Sequence, residues 1–149
     1  MSSLFKYTSL KEFNGRTDFN TSNVTNMNGM FNNCRELETI NVSNFNTAKV
    51  TDMNHMFSYC TEVKSLDISN FDTNNVTTTQ NMFSYMSKLE NIILPENFGV
   101  NSTNMNELFS GCSKLNYIGN IYSNKATMSS IFSVCDSLIK VESINFENL

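Results

Sequence analysis

The stretch FNTSNVTNMNGMFNNCREL, running from Phe19 to Leu37, returns with few changes from Phe45 to Val63 and again from Phe71 to Leu89. Such self-similarity decides the architecture before any local reading does. The pairs Met30-Phe31, Met56-Phe57, Met82-Phe83, Leu108-Phe109 and Ile131-Phe132 follow one another at 26, 26, 26 and 23 residues, and Leu4-Phe5 extends the ladder backwards by another 26. Three residues after each Phe stands Cys34, Cys60, Met86, Cys112 or Cys135. A further three residues on come Leu37, Val63, Leu89, Leu115 and Leu138, then Ile40, Leu66, Ile92, Ile118 and Val141.

Each unit changes its hydrophobic period partway. Val24, Met27, Met30, Phe31 and Cys34 fall on one stripe of a helix about three turns long, so this half is expected to be helical. Asn20-Thr21, Asn46-Thr47 and Asp72-Thr73 precede the stripes and read as helix N-caps. After the stripe, Leu37-x-x-Ile40-x-Val42 and Val63-x-x-Leu66-x-Ile68 alternate like a short strand. In the third copy Leu94-Pro95 ends the strand with a residue that cannot donate to a ladder.

A short helix and a four-residue strand cannot each bury a face alone, so the copies are expected to stack. The expected fold is α/β: a leucine-rich-repeat-like solenoid of about five repeats. Strands pair about 4.8 Å apart and packed helices need about 8–10 Å, which puts short parallel strands on a concave face and helices on a convex one. The reading is a single repeat domain over 1–149. It holds a degraded first repeat at about 1–18, with Thr8 on the Cys rung, and repeats at about 19–44, 45–70, 71–97, 98–121 and 122–149. The shortened fourth interval, between Tyr117 and Met128, predicts a tighter linker and an offset copy. The C-terminus, Ile144 to Leu149, does not read as a polar end cap.

The 149 residues carry 40% apolar and only 16% charged side chains, with 25 Asn supplying much of the polarity. Asparagine on this scale suits turns. A net charge of −4 repels phosphate backbones and anionic bilayers, so neither nucleic acid nor membrane insertion is expected. No apolar run reaches the roughly 18 residues that span a bilayer, and Met1 to Lys6 lacks the layout of a signal peptide.

The repeated string resembles that of the bacterial BspA-like leucine-rich-repeat surface proteins, whose units read Phe-Asn/Asp-Thr-Ser-Asn-Val-Thr-x-Met-x-x-Met-Phe-x-x-Cys-x-x-Leu. It stands here almost intact at Phe19 to Leu37, Phe45 to Val63 and Phe71 to Leu89, with Met86 in place of Cys. The resemblance implies a short-period solenoid in proteins often exported and displayed on cells, some of them like adhesins, with no shared catalytic residues. Cell-surface or secreted location follows from the resemblance alone; with no signal or wall anchor read in this chain, the cytoplasm stays open as well.

The chemistry-bearing residues point away from catalysis. The four cysteines share one rung with Met86, which marks a filling position, and rungs on helices 8–10 Å apart lie beyond the reach of a disulfide. Free thiols are therefore expected, with no metal site and no cofactor. The single histidine, His55, has Gly29, Asn81, Glu107 and Ser130 as counterparts and reads as a solvated surface residue. Most of the nine methionines read as core. Thr25, Thr51 and Thr77 read as residues satisfying local backbone groups. With five glycines and one histidine, no nucleophile with its base or phosphate loop can be assembled, so no enzymatic activity is expected. What remains is recognition or adhesion: a rigid scaffold binding a protein or glycan through its concave strand face or its helical back, with Asn41, Asp67, Asn91, Ile93 and Tyr117 as the candidate contact residues on the concave face. The competing expectation is a structural spacer or self-associating unit whose ends stack.

Overall fold

The computed structural model describes residues 1–15, 18–123 and 125–145. Six strands follow one another along the chain: β1 (Glu12–Asn14), β2 (Thr39–Asn41), β3 (Ser65–Asp67), β4 (Asn91–Ile93), β5 (Tyr117–Tyr122) and β6 (Lys140–Asn145). All pairing is parallel, β1 with β2, β3 with β4 and β5 with β6, and each register joins equivalent repeat positions, as in Leu66↔Ile92 and Ile118↔Val141. Elsewhere in each unit a second column of bridges, Asn26↔Asp52↔Thr78↔Asn104↔Thr127, links five successive copies.

Among the described residues there is no helix, which corrects the expected α/β fold with helices on a convex face. The reason lies in where the backbone N–H groups go. Those of Met27, Gly29, Phe31 and Asn33 donate to the carbonyls of Asp52, Asn54, Met56 and Ser58 in the next copy, at 2.9, 2.8, 2.9 and 2.9 Å. Each backbone donor satisfies one strong acceptor, so these amides are lost to the i→i−4 ladder that an α-helix requires. Within a copy only three-residue turns close: Met30 N–H to the Met27 carbonyl at 3.1 Å, Cys34 to Phe31 at 3.1 Å and Leu37 to Cys34 at 3.1 Å. The apolar spacing of three, read as one stripe of a helix, is the spacing of these consecutive turns.

The turn path needs left-handed residues, and they recur on two rungs. One rung is Ser3, Gly29, His55, Asn81, Glu107 and Ser130; the other is Tyr7, Asn33, Tyr59, Tyr85, Gly111 and Val134, and every non-glycine among them lies at φ between 54° and 62°. Such a conformation costs an L-residue roughly 1–2 kcal/mol, and it breaks any right-handed helix. It persists because the bonds to neighbouring copies over-determine the backbone. With the helix layer gone, the size mismatch that placed the strands on the inside of a bend goes with it.

The supposed N-caps have another task. Asn20, Asn46 and Asp72 accept from the amides of Ser22, Ala48 and Asn74, at 2.9, 3.1 and 3.0 Å, and each closes a local turn with no helix behind it. The buried Thr21 hydroxyl donates to the Asn46 carbonyl at 2.9 Å and accepts from its amide at 2.7 Å, and Thr47 repeats this with Asp72. Thr51, Thr77 and Thr103 likewise donate their hydroxyls to the carbonyls of Thr25, Thr51 and Thr77, at 3.2, 3.1 and 3.0 Å. They bond between copies, where local bonding was expected.

The interior is a stack of matched side chains. Phe31, Phe57, Phe83 and Phe109 are fully buried, with neighbouring ring centroids 5.7, 6.0 and 5.1 Å apart and nearly parallel. Phe5 and Phe132 extend the column at its two ends, and Phe19, Phe45 and Phe71 form a second one. Met27, Met30, Met53, Met56, Met82, Met86 and Met105 fill the remaining volume and are inaccessible to solvent. Each aromatic contact adds about 0.5–1.5 kcal/mol beyond its buried area. In the shortened fourth interval β5 and β6 run for six residues each, and the bridge Asn104↔Thr127 restores the column. Of the C-terminal segment read as lacking a polar cap, Ile144 and Asn145 belong to β6, and 146–149 lie outside the described residues.

Two glycines separate backbone need from open space. Gly111 lies at φ +79°, and a Cβ there would stand 2.7 Å from the Tyr85 ring; a Cβ on Gly119 meets nothing within 4 Å. Gly111→Ala is expected to cost at least about 1–2 kcal/mol, and Gly119→Ala less than about 0.5 kcal/mol, read from urea midpoints. Phe57→Ala empties a fully enclosed position and is expected to cost about 3–5 kcal/mol in the same assay.

Candidate functional site

In the strands, the inward residues Phe13, Ile40, Leu66, Ile92 and Ile118 join the core, and their neighbours on either side point to solvent. Period-two alternation therefore produces two outward columns. One runs Glu12, Thr39, Ser65, Asn91, Tyr117, Lys140; the other runs Asn14, Asn41, Asp67, Ile93, Gly119, Glu142. Strand pairing stops between β2 and β3 and between β4 and β5. At each of these seams the surface opens into a hollow.

The β2–β3 hollow, of about 270 Å³, is lined by Asn41, Ser43, Asp67, Ser69 and Asn70 with Ile40 and Val42. Asn41 is pinned by both ends of its amide: it donates to Asn14 Oδ1 at 3.3 Å and accepts from the Ser43 amide and hydroxyl at 3.0 and 2.7 Å. Asp67 accepts from the Ser69 amide at 2.9 Å, and the hydrogen bonds of Ser69 hold its exposed carboxyl below the usual range. The β4–β5 hollow, of about 260 Å³, is lined by Ile92, Ile93, Leu94, Pro95, Glu96, Tyr117, Gly119 and Asn120. Ile93 is 55% and Tyr117 43% exposed, among the few large apolar side chains left open to solvent. The Tyr117 hydroxyl donates to Glu142 Oε2 at 3.3 Å. Lys140 pairs with the same carboxylate at 2.7 Å and lies 5.9 Å from the Tyr117 ring centroid. The hydrogen-bonded pairing of Lys140 with Glu142 raises the Lys140 pKa and lowers that of Glu142.

The five residues singled out in the sequence thus divide. Asn41 and Asp67 meet at one seam, and Ile93 and Tyr117 at the other. Asn91 lies opposite Ser65 in the first column and lines neither hollow. The sequence reading missed Leu94, Pro95 and Glu96. A signal for them stands in the repeat: Glu96 occupies the place of Asn44 and Asn70. Those two donate their side-chain amides to carbonyls of the preceding copy, Asn44 to Gly15 at 2.8 Å and Asn70 to Ser43 at 3.0 Å. A carboxylate cannot donate, so this corner is not tied back in the same way.

The cysteine rung lies within the packing. The Cys34, Cys60, Cys112 and Cys135 thiols are free and donate to the carbonyls of Phe5, Phe31, Phe83 and Phe109, at 3.0, 3.2, 3.1 and 3.1 Å. The helix spacing used above against a disulfide does not apply to paired coils; the rung is explained by these S–H···O bonds. Burial raises all four pKa values, that of Cys112 up to about 12, which opposes thiolate chemistry. His55 is half-buried on a left-handed rung. Its pKa is lowered by burial and then by the charge of Lys6, and both residues line a separate polar hollow with Asn28, Asn32, Asn33 and Tyr59. Among the described residues no three His, Cys, Asp or Glu side chains converge as a metal centre would require, and no helix is long and apolar enough to cross a membrane.

A family model described as a Mycoplasma protein of unknown function, DUF285, matches residues 1–123 and again 64–148. The two matches overlap, as a repeated sequence allows. No curated protein and no solved structure matches the chain.

Thiol titration supplies a pH dependence. A cysteine protonates near 8.5 when unfolded, and Cys112 holds its proton up to about 12 in the fold. Its stabilising contribution is complete below pH 8.5 and is lost as pH rises toward 12. The urea midpoint is expected to fall between pH 8 and pH 11, and to fall less steeply in Cys112→Ala; parallel slopes for the two proteins would contradict the assignment.

Proposed function

The chain belongs to DUF285, a family of Mycoplasma proteins of unknown function made of BspA-like repeats, and on that premise we propose a non-enzymatic recognition or adhesion module. In this reading it is displayed at the cell surface, like the BspA-like leucine-rich-repeat proteins, and binds a protein or glycan through the exposed strand columns of its stacked coils. One observation carries the reading: Ile93 and Tyr117, 55% and 43% exposed, flank an open hollow on a face otherwise made mostly of small polar and charged residues. Exposed apolar groups rimmed by polar ones mark interaction sites, and a tyrosine is a favoured anchor. The columns stand on side chains locked in a close-packed core, so a ligand orders few groups on binding and loses little affinity to entropy.

A second reading, a spacer or self-associating unit, is favoured by the last described coil. Val134 and Ile139 there are 59% and 89% exposed, and Ile131, Phe132 and Leu138 are only partly covered, whereas their counterparts Leu108, Phe109 and Leu115 are fully buried. That coil offers its apolar edge to one more coil, from its own chain or from another copy.

Binding of the fluorescently labelled chain to printed glycans and to immobilised extracellular-matrix proteins tests the first reading. The double variant Asp67→Asn, Tyr117→Ala is expected to lose at least tenfold in affinity with an unchanged circular dichroism spectrum. Unchanged binding would remove the strand columns from consideration. Light scattering over a concentration series tests the second: a mass that rises with concentration supports it, and a monomer throughout opposes it.

A further inference from the structure

By residue type, the β4–β5 hollow is richer in large apolar side chains than the β2–β3 hollow or the hollow beside His55. Most residues lining those two are Asn, Ser, Asp, Lys, His or Tyr, whose carbon atoms supply their apolar surface together with Ile40 and Val42. At β4–β5 the walls are Ile93, Leu94, Pro95 and Tyr117, and Gly119 opens the space because it brings no side chain to a position with nothing within 4 Å of its Cβ. Tyr117 is held in place by Glu142 and Lys140. Aliphatic walls and a ring already engaged by a cation suit an apolar side chain better than a sugar. The volume, about 260 Å³, lies below the roughly 300–1,000 Å³ of pockets that enclose whole ligands. It suits one side chain.

The rim is acidic. Asp67 is the register partner of Ile93, and Glu96 lines the hollow itself. Ion pairs among the described residues join Lys88 to Glu62 and Lys140 to Glu142, which leaves Asp67 and Glu96 without a cation at contact distance. Resting on the recognition reading above, we propose that this seam docks an extended protein segment. One aromatic or branched aliphatic side chain of the segment enters the hollow over Gly119, and a neighbouring Lys or Arg meets Asp67 and Glu96. An extended segment sends alternate side chains to one side, so anchor and cation both reach the surface when the cation sits two residues away or on a bent neighbour, as in other modes of strand recognition.

The test is nuclear magnetic resonance titration of the full chain with three synthetic peptides: acetyl-Lys-Thr-Phe-Thr-Lys-amide, its Glu-Thr-Phe-Thr-Glu counterpart and its Lys-Thr-Ser-Thr-Lys counterpart. The basic Phe peptide is expected to bind at least tenfold tighter than either control and to move the amide signals of Ile93, Tyr117, Gly119 and Asn120. Gly119→Leu fills the hollow from a position with free space above it and is expected to weaken that peptide at least tenfold. The surface variant Asp67→Asn, Glu96→Gln is expected to weaken it about three- to tenfold and guards against a folding defect in the first. Equal binding of the three peptides, or wild-type binding by both variants, overturns the proposal. If a glycan moves these same signals and the peptides do not, the docked-segment proposal fails and the recognition reading stands. If neither peptides nor any bound member of the panels moves them, both fail.

Discussion

Successive copies of the repeat are joined by backbone hydrogen bonds, most of them from amides of one copy to carbonyls of the next. The N–H groups of Met27, Gly29, Phe31 and Asn33 reach across to the 52–58 segment, and that commitment excludes a helix, since a donor bonded to a neighbouring coil cannot also close an i→i−4 ring. The chain still has to change direction several times per unit. It does so through successive three-residue turns and two left-handed positions. The chain's abundance of asparagine finds its physical use here, because Asn tolerates the left-handed region and bonds its own backbone two residues on.

Stacking in register follows from the same bonds. Once equivalent positions lie one above another, a Phe can only meet a Phe, a Thr hydroxyl finds the same carbonyl in each interval, and a thiol on the Cys rung meets the carbonyl of the Phe below it. The core is therefore a set of columns, and its stability is a sum of near-identical interfaces. A side chain that departs from its column stands out physically. Gly111 is one case, filled by the Tyr85 ring that lies over Tyr59; Gly119, Ile93 and Glu96 are others, and they gather at one seam.

The repeat length, the rungs and the outward columns of the strands could be read from residues alone, because apolar identity recurs at fixed intervals whatever the backbone does. The helix could not be told from a turn path on that pattern. A spacing of three at Val24, Met27 and Met30 sits between the 3.6 period of an α-helix and the three-residue closure of a turn, and Phe31 beside Met30 tipped the reading to the helix. The deciding signal was the other set of residues, Gly29 and Asn33, two left-handed formers four apart in the middle of the supposed helix. At the candidate site, Ile93 and Tyr117 were visible as large side chains in an outward column. Their separation from Asn41 and Asp67 into two hollows depends on where strand pairing lapses, which no local pattern encodes. Leu94, Pro95 and Glu96 belong to the corner after the strand and escaped a reading confined to strand columns.

What the scaffold offers function is fixed spacing. Rungs held at strand separation by a buried core present their outward residues without adjustment, and the seams open hollows in those columns large enough to take a side chain. All of this stands on bonds between coils. The most direct measurement is the scalar coupling transmitted across hydrogen bonds in isotope-labelled protein, read from the Phe31 amide nitrogen. The account predicts a cross-peak to the carbonyl carbon of Met56, with matching peaks from Phe57 to Met82 and from Phe83 to Leu108. A cross-peak from Phe31 to the carbonyl of Met27 in its own copy would contradict it.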